Sequence, residues 1–421
     1  MNMLPVMKSV RFQAAPCLVF TAIGALAVLP QAEAKPGEKE PQADAFETRA
    51  AQAAHMTQAI NPGFTTSLYQ QLRATEGNVF FSPHGISEAM AMLHAGTEGN
   101  TAAEVAKAMS YSKEAKHMTG HFKAMRAHLT NRISQRGGKL SIANALCITG
   151  MVPKQAYQNT VRDQFGGELF AGGLDEINGW VKEKTDGNIE KILESLSADS
   201  ACVLLNAVYF KGSWQNSFMH SDTHKAPFHL ATGKKTQVEM MMQESRFKSL
   251  REQGVIAVEM PYKSGASMVV ILPDTPEGMG ALEERLSPAM FDKLCNSLGA
   301  KQFEPIQLFL PKFKIATEYD LIPPMKKLGM KDAFDSAKSD FSPMYGSCDI
   351  EIAQIKHKAT LEVDEKGSVA TAVTAMEAVS ECAYKFKREQ IFRFDRPFLA
   401  LIRENTTGTI LFMGRISDPT K

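Results

Sequence analysis

The chain has 421 residues, a formal net charge of +1 and an ordinary hydrophobic fraction of 44%. A chain of this length can bury a large apolar core. The charge near zero argues against nucleic acid as the main partner, because phosphate binding needs an excess of clustered basic residues. The sequence shows no internal repeat and no low-complexity tract.

The first 34 residues have the pattern of a secretory signal peptide. Lys8 and Arg11 precede an apolar run from Cys17 to Leu29, and Ala32-Glu33-Ala34 offers small residues at a cleavage site. The run is too short to span a bilayer comfortably, and an uncleaved membrane anchor is the alternative. We therefore expect residues 1–34 to be a signal peptide. The mature protein would then be secreted or periplasmic, with no membrane contact after cleavage.

The rest of the chain reads as a short tail and one large domain. Residues 35–57 are polar, alanine-rich and unpatterned, which predicts a flexible tail before a domain over 58–421. Predicted helices are Phe64 to Leu72, Ile86 to Leu93 and Glu190 to Leu196; predicted strands are Leu140 to Ile148, Cys202 to Phe210 and Met268 to Leu272; Phe398 to Ile402 and Ile410 to Met413 form a hairpin. Long β segments mixed irregularly with helices indicate an α+β fold with large sheets.

The sequence contains no constellation that indicates an enzyme or a metal site. It lacks a G-x-S-x-G elbow, an H-E-x-x-H motif and a complete phosphate loop. Two sets of side chains are interpreted as surface positions, because neither has the partners of a metal site or the density of a polyanion site. They are His94, His117, His121 and His128, and Lys113, Lys116, Lys123, Arg126 and Arg132.

The cysteines do not indicate a disulfide framework. Five cysteines would remain after removal of Cys17, and none of them are closely spaced. Cys147, Cys202 and Cys295 lie among apolar residues and are interpreted as thiols of the core.

The segment between His357 and Phe398 is the most informative part of the chain. Apolar residues at alternate positions from Ile355 to Val363 predict a buried strand, and the polar run Asp364-Glu365-Lys366-Gly367 predicts its end. The strand-like pattern then resumes over 368–375, where every side chain is small or β-branched and none is charged. Such a segment can lie in solvent, and it can also enter a sheet between two strands. The sequence therefore predicts a loop that is able to become a strand.

Six further blocks cover most of the chain after residue 58. They are NVFFSPHGISEAMAMLHAGTEGNTAAEV (78–105), INGWVKEKTDGNIEKIL (177–193), LLNAVYFKGSW (204–214), VEMPYKSGASMVVILPD (258–274), LFLPKFKIATEYDL (308–321) and FRFDRPFLALIRENTTGTILFMGRISDP (392–419). In this order, and together with the loop segment, they resemble the blocks of serpins. Serpins are protease inhibitors that trap their target by inserting a cleaved loop into a sheet. The resemblance implies the serpin fold, with three β-sheets, eight or nine helices and an exposed reactive-centre loop at about 365–392.

The resemblance also implies a function. The chain would be a secreted suicide inhibitor of serine endopeptidases, extending to cysteine endopeptidases, and not an enzyme. Its partner would be the target protease, held in a covalent acyl-enzyme complex, and the inhibitor would be a monomer without a cofactor. The alternative is a non-inhibitory serpin-fold binding or carrier protein.

The hinge of the loop favours inhibition. A charged or bulky side chain would oppose burial between two strands. The positions of the hinge that must become buried on insertion carry neither. They follow the hinge glutamate Glu365 and the turn glycine Gly367, and are Ser368, Ala370, Ala372 and Thr374.

Four other positions take structural roles from the resemblance. Ser82, Asn206 and His357 match the cluster that hydrogen-bonds where the central strands of serpins part. Trp214 matches the tryptophan near the point where the loop enters, and a simple core aromatic is the alternative. Gly85 stands where the family usually has serine, so we expect a hydroxyl worth ~0.5–1.5 kcal/mol to be missing and the sheet to be looser.

The reactive bond has several candidates. The family's spacing from the hinge glutamate places it between Glu381 and Cys382, which implies a target with a basic specificity pocket. Counting back from residues 394–398 gives a later position, because the loop is longer than usual on that side. The alternative reactive positions are Ser380 and Cys382, for an elastase-like target, and Tyr384 and Lys385, for a chymotrypsin-like or trypsin-like target. The stretch 165–177 is shorter than in familiar serpins, so the helix over the main sheet is expected to begin late.

Overall fold

The computed structural model of the protein describes residues 62–111, 118–148, 151–196, 202–346, 350–368 and 390–421. These residues form ten α-helices: α1 (62–72), α2 (Pro83–His94), α3 (Gly99–Ala108), α4 (Met118–Ser134), α5 (Gln155–Phe165), α6 (Leu174–Lys184), α7 (Met279–Arg285), α8 (Pro288–Gly299), α9 (Ile322–Lys327) and α10 (Ser342–Tyr345). The resemblance implied eight or nine helices; α9 and α10, of six and four residues, are the shortest of the ten.

The same residues form fifteen strands. They are β1 (Val79–Phe81), β2 (Lys139–Ile148), β3 (Glu168–Phe170), β4 (Cys202–Ser213), β5 (His224–His229), β6 (Lys235–Glu252), β7 (Val255–Pro261), β8 (Ala266–Pro273), β9 (Glu304–Pro311), β10 (Phe313–Asp320), β11 (Gln354–Asp364), β12 (Gly367–Ser368), β13 (Ile391–Arg393), β14 (Phe398–Glu404) and β15 (Ile410–Ile416). The α+β class is confirmed.

Two of the sheets are joined by the long strand β6, whose 18 residues pair in both. Its carboxy-terminal part pairs with β7, in the order β1-β15-β14-β8-β7-β6, and its earlier part pairs with β5 and β9. The third sheet has six strands in the order β10-β11-β12-β4-β2-β3. The functional site lies in this six-stranded sheet, where the loop predicted from the sequence begins.

Helix α6 covers one face of the six-stranded sheet. Its buried residues Ile177, Trp180 and Val181 pack on small side chains of β2 and β4, such as Ala145 and Ala207. The close approach follows from those small side chains, because larger ones would hold the helix away from the strands. The other face of the sheet is covered by α2, which is buried along nearly all its length.

The helix predicted from Glu190 to Leu196 is wrong. Helix α6 ends at Lys184, and the chain beyond it follows an irregular path. Asn178 of α6 holds that path, because its Oδ1 accepts hydrogen bonds from the backbone N–H groups of Ile192 (2.8 Å) and Leu193 (3.1 Å). The apolar residues whose spacing resembled a helix, such as Ile192 and Leu193, instead pack against α6 from an irregular chain.

Candidate functional site

Strands β11 and β4 lie side by side at one end and part at the other. They pair in parallel from Gln354 opposite Val203 as far as Thr360 opposite Tyr209. Farther along, the two residues of β12 lie between them, antiparallel to both. The sheet therefore has an opening between its central strands, and the start of the loop occupies the open end.

Gly367 and Ser368 are already inside the sheet. A Cβ at Gly367 would lie 2.1 Å from the carbonyl oxygen of Gly212, and its φ of +148° also favours glycine. Ser368 is fully buried, and its hydroxyl is 2.8 Å from that of Tyr262, whose pKa burial raises far above the ordinary value. The resemblance implied that Ser368 becomes buried on insertion of the loop. In the intact chain it is already buried, as the second residue of β12.

Trp214 holds the entrance of the loop. Its ring stacks on Tyr262 with centroids 4.3 Å apart, and its Nε1–H donates to the carbonyl of Asp364 at 2.9 Å. Its backbone N–H donates to the carbonyl of Lys366, also at 2.9 Å. Trp214 is therefore both a buried core aromatic and a direct contact of the loop.

The carboxylate of Glu365, the predicted hinge residue, is fixed from three sides. Its Oε1 lies 3.0 Å from Nδ1 of His220 and accepts from the hydroxyl of Thr223 at 2.9 Å, while Lys312 Nζ is 3.1 Å from Oε2. Burial alone would raise the pKa of Glu365, but the hydrogen bond from its own backbone N–H and those from the three side chains outweigh burial and lower the pKa to about 2. The loop thus starts from an anchored negative charge.

Replacing Glu365 by glutamine should make the protein less stable at neutral pH by on the order of 2 kcal/mol. The folded-state pKa is depressed, so this stability is present above the ordinary pKa and is lost as the pH falls toward about 2. Urea unfolding of both proteins between pH 7 and pH 3 measures it. The gap in unfolding free energy should shrink below pH 4.5, and a gap independent of pH would contradict the prediction.

His357 and Asn206 form a hydrogen bond across the two parting strands. They are directly opposite each other in the β11–β4 pairing, and His357 Nδ1 is 2.6 Å from Asn206 Oδ1. The backbone N–H of Ser82 donates to Nε2 of His357 at 3.0 Å, so the imidazole proton is on Nδ1 and is donated to Asn206. Burial lowers the pKa of His357 to about 3, which keeps the ring neutral. Separation of β11 from β4 at this point would break the bond.

The hydrogen-bonded cluster continues to a buried ion pair that sequence reasoning missed. Asn206 Nδ2 donates to Asn144 Oδ1 at 2.6 Å, and Asn144 Nδ2 donates to Glu88 Oε2 at 3.1 Å. Glu88 Oε1 accepts from Nε (3.0 Å) and Nη2 (2.8 Å) of Arg126. Arg126 was interpreted as a surface residue, and this is wrong. The signal available in the sequence was a single acid, Glu88, inside an otherwise apolar helix.

The missing hydroxyl at Gly85 does not leave a hole. A Cβ there would lie 2.6 Å from Cγ2 of Val208 and 3.0 Å from Oγ of Ser82. The Gly85 N–H also donates to Ser82 Oγ at 3.1 Å. The space is filled by Val208, so the expectation of a looser sheet is not supported by the packing at this position.

The remaining sequence predictions fall in three groups. The reactive-bond candidates Ser380, Glu381, Cys382, Tyr384 and Lys385 and the hinge positions Ala370, Ala372 and Thr374 lie outside the described residues. His128 is buried rather than exposed, and its Nε2 lies 3.4 Å from Oε2 of the buried Glu404. Cys147 and Cys202 are buried free thiols and Cys295 is partly buried; burial raises the pKa of Cys202 to about 12.

The described residues contain no group of three or more His, Cys, Asp or Glu side chains placed to hold a metal ion. Within that same part of the chain, no helix is long and apolar enough to cross a membrane.

Comparison with known proteins identifies the family. The model of the family described as "Serpin (serine protease inhibitor)" matches residues 59–419. Human serpin B8 is 35% identical over 377 residues, which cover 85% of this chain and 98% of that protein. Leukocyte elastase inhibitor of Sus scrofa is 35% identical over 385 residues, which cover 86% of this chain and 99% of that protein.

Solved structures agree. Human thyroxine-binding globulin superposes with a TM-score of 0.79 at 28% identity, covering 88% of this chain and 100% of that one. The thermophilic serpin Tengpin in its native state gives a TM-score of 0.78 at 26% identity, covering 86% and 94%. The chain belongs to the serpin family, which is a family of protease inhibitors and not of enzymes.

Proposed function

We propose that the protein is a secreted or periplasmic suicide inhibitor of serine endopeptidases, and that cysteine endopeptidases are a further target class. The observation that carries the proposal is the position of β12, which enters the opening between β11 and β4. The names of the relatives support it, since one of them is an elastase inhibitor. The uncharged, unbulky sequence that continues from Ser368 gives it a segment fit to extend β12.

The mechanism is strand insertion coupled to acyl transfer in the target. The protease nucleophile attacks the reactive bond, and the cleaved loop then extends β12 between β11 and β4. The protease is still linked to the loop and is carried with it, so its active site is distorted and the ester is not hydrolysed. The inhibitor supplies no catalytic group. Its contribution is the hydrogen-bonding capacity of two strand edges that part beyond Thr360 and Tyr209.

The second candidate is a non-inhibitory carrier. It is favoured by the structural similarity to thyroxine-binding globulin, which was solved in complex with its ligand. A carrier does not need an insertable hinge, whereas an inhibitor does. The two functions differ in one observable, the covalent complex.

Mixing the mature protein with a panel of serine and cysteine endopeptidases should give, with at least one of them, a complex that survives a denaturing gel. In the variant Ala370→Arg the complex should decrease and cleaved inhibitor should accumulate, because a charge on the inserting face slows insertion and lets deacylation finish first. Ala370 is two residues beyond Ser368, so in an extended strand the two side chains would lie on the same face of the sheet. A complex formed by the variant at the unchanged stoichiometry would contradict the hinge assignment.

The matched control is Thr371→Arg, one residue along, where the alternation of a strand turns the side chain to the other face. The fragment released in the same reaction identifies the reactive bond by its mass. A fragment that begins at Cys382 supports the Glu381–Cys382 assignment, and one that begins at Lys385 or Phe386 supports Tyr384 or Lys385. The absence of any complex across the panel, with an intact loop, would favour the carrier.

A further inference from the structure

A cavity of about 240 Å³ lies between α4, β2 and α6. It adjoins the part of β2 that has a strand on one side only. Strand β3 pairs with Ala145–Cys147 alone, whereas β4 pairs along the whole of β2, so residues 140–144 border the cavity. The carbonyl of Asn144 faces this edge, since it is 3.3 Å from the Cβ position of Gly167. By the alternation of a strand, the backbone N–H groups of Leu140 and Ile142 face it as well.

One wall of the cavity presents an anchored guanidinium. Arg126 uses Nε and Nη2 to hold Glu88, while its Nη1 has no hydrogen-bond partner among the described residues. Gly166 makes room for this nitrogen, because a Cβ there would lie 1.6 Å from Nη1, and its φ of +50° also favours glycine. The donor is thus held in position by the ion pair behind it and remains free on its cavity side.

The opposite wall carries a second cation and an aromatic ring. Lys184 Nζ is 2.5 Å from Oε1 of Glu168, and the Trp180 Nε1–H donates to Oε2 of the same carboxylate at 3.1 Å. Both oxygens of Glu168 are therefore engaged from α6. Each cation of the lining therefore has its own carboxylate, Arg126 with Glu88 and Lys184 with Glu168, and the donor left for a ligand is Nη1 of Arg126. Leu129 adds an apolar side chain to the lining. A site of this kind suits an anionic head on an apolar body.

We propose that this cavity binds a small organic carboxylate. Its head would accept from Arg126 Nη1 and from the N–H of Ile142, and its body would lie against Leu129 and Trp180. The volume is below the roughly 300–1,000 Å³ of sites for drug-sized molecules, which limits the ligand to a single ring or a short chain. The proposed site does not depend on the inhibitory function and adds a ligand to the protein whichever function it has.

Tryptophan fluorescence tests the proposal directly. The chain has two tryptophans, so the variant Trp214→Phe leaves Trp180 of the cavity wall as the only reporter. Cyclohexylacetate, which does not absorb in this range, should change the Trp180 emission saturably at about millimolar concentration. The neutral isostere cyclohexylacetamide should bind at least tenfold more weakly, because it cannot use the cationic donor. If Trp214→Phe does not fold, calorimetric titration of the unsubstituted protein gives the same comparison.

Two variants assign the binding to the cavity. Ser141→Leu fills space in the lining without changing any charge, and should abolish the response. Arg126→Lys keeps a cation for Glu88 but removes the second arm of the guanidinium, and should weaken binding of the acid and not of the amide. Equal binding of acid and amide, binding that survives Ser141→Leu, or no response from a folded protein would each overturn the proposal.

Discussion

Cleavage of the loop anywhere between Ala375 and Phe392 is expected to raise the melting temperature of the protein by tens of degrees. The cleaved segment can extend β12 beyond Ser368 into the opening between β11 and β4. Roughly fifteen inserted residues, with about two bonds each at ~0.5–1.5 kcal/mol net per bond, contribute on the order of 15–45 kcal/mol. This is comparable to or above the whole stability of a typical domain, about 5–15 kcal/mol.

The measurement is a comparison of thermal unfolding for intact and nicked protein, nicked by a protease that does not form a complex. Nicked Ala370→Arg is the matched control, since its loop is cut in the same way but cannot insert easily. It should melt close to the intact protein. Equal midpoints for intact and nicked unsubstituted protein would contradict strain release as the source of inhibition.

The sequence predicted where the loop begins, but not how far it has entered the sheet. The alternation from Ile355 to Val363 and the polar run after it fix the end of β11, and both are local patterns. The burial of Ser368 depends instead on Tyr262, a residue 106 positions away. Contacts between residues far apart in the sequence decide how far the loop enters the sheet, and a local sequence pattern does not reveal them.

The cluster at the parting strands was predicted only in part. Ser82, Asn206 and His357 were found through resemblance, and the structure brings them into contact. Glu88 and Arg126 were not found, because they are 38 residues apart and an acid on an apolar helix does not name its partner. Buried polar groups need partners, so a lone acid in an apolar helix predicts that a partner exists without locating it.

Arg126→Leu is expected to lower the free energy of unfolding by about 3–5 kcal/mol at pH 8, because it leaves a buried carboxylate without its counterion. The Glu88 side chain is fully buried, so its carboxylate has no solvent contact that could replace the lost ion pair. Urea unfolding of the two proteins measures the difference. Arg132→Leu is the matched control, since this arginine of the same helix makes its hydrogen bond to an exposed threonine, Thr406.

The double variant Arg126→Leu/Glu88→Gln separates the lost charge pair from lost packing. Glutamine keeps an oxygen for Asn144 and removes the unpaired charge, so it should restore most of the stability that Arg126→Leu loses. The net value of one hydrogen bond, about 1 kcal/mol, sets the threshold. If the double variant regains less unfolding free energy than this at pH 8, packing and not charge explains the loss.

The pH dependence of Arg126→Leu gives an independent check with a definite sign. Burial raises the pKa of Glu88, and the charge and hydrogen bonds of Arg126 oppose that rise, so removing Arg126 should raise the pKa further. A raised folded-state pKa favours folding at low pH, where the carboxyl is protonated, and this advantage is lost as the pH rises through the raised value. The stability of Arg126→Leu should therefore approach that of the double variant as the pH falls from 8 toward the ordinary value of 4.5. If the gap between the two stays constant over this range, the carboxylate of Glu88 is not the source of the instability.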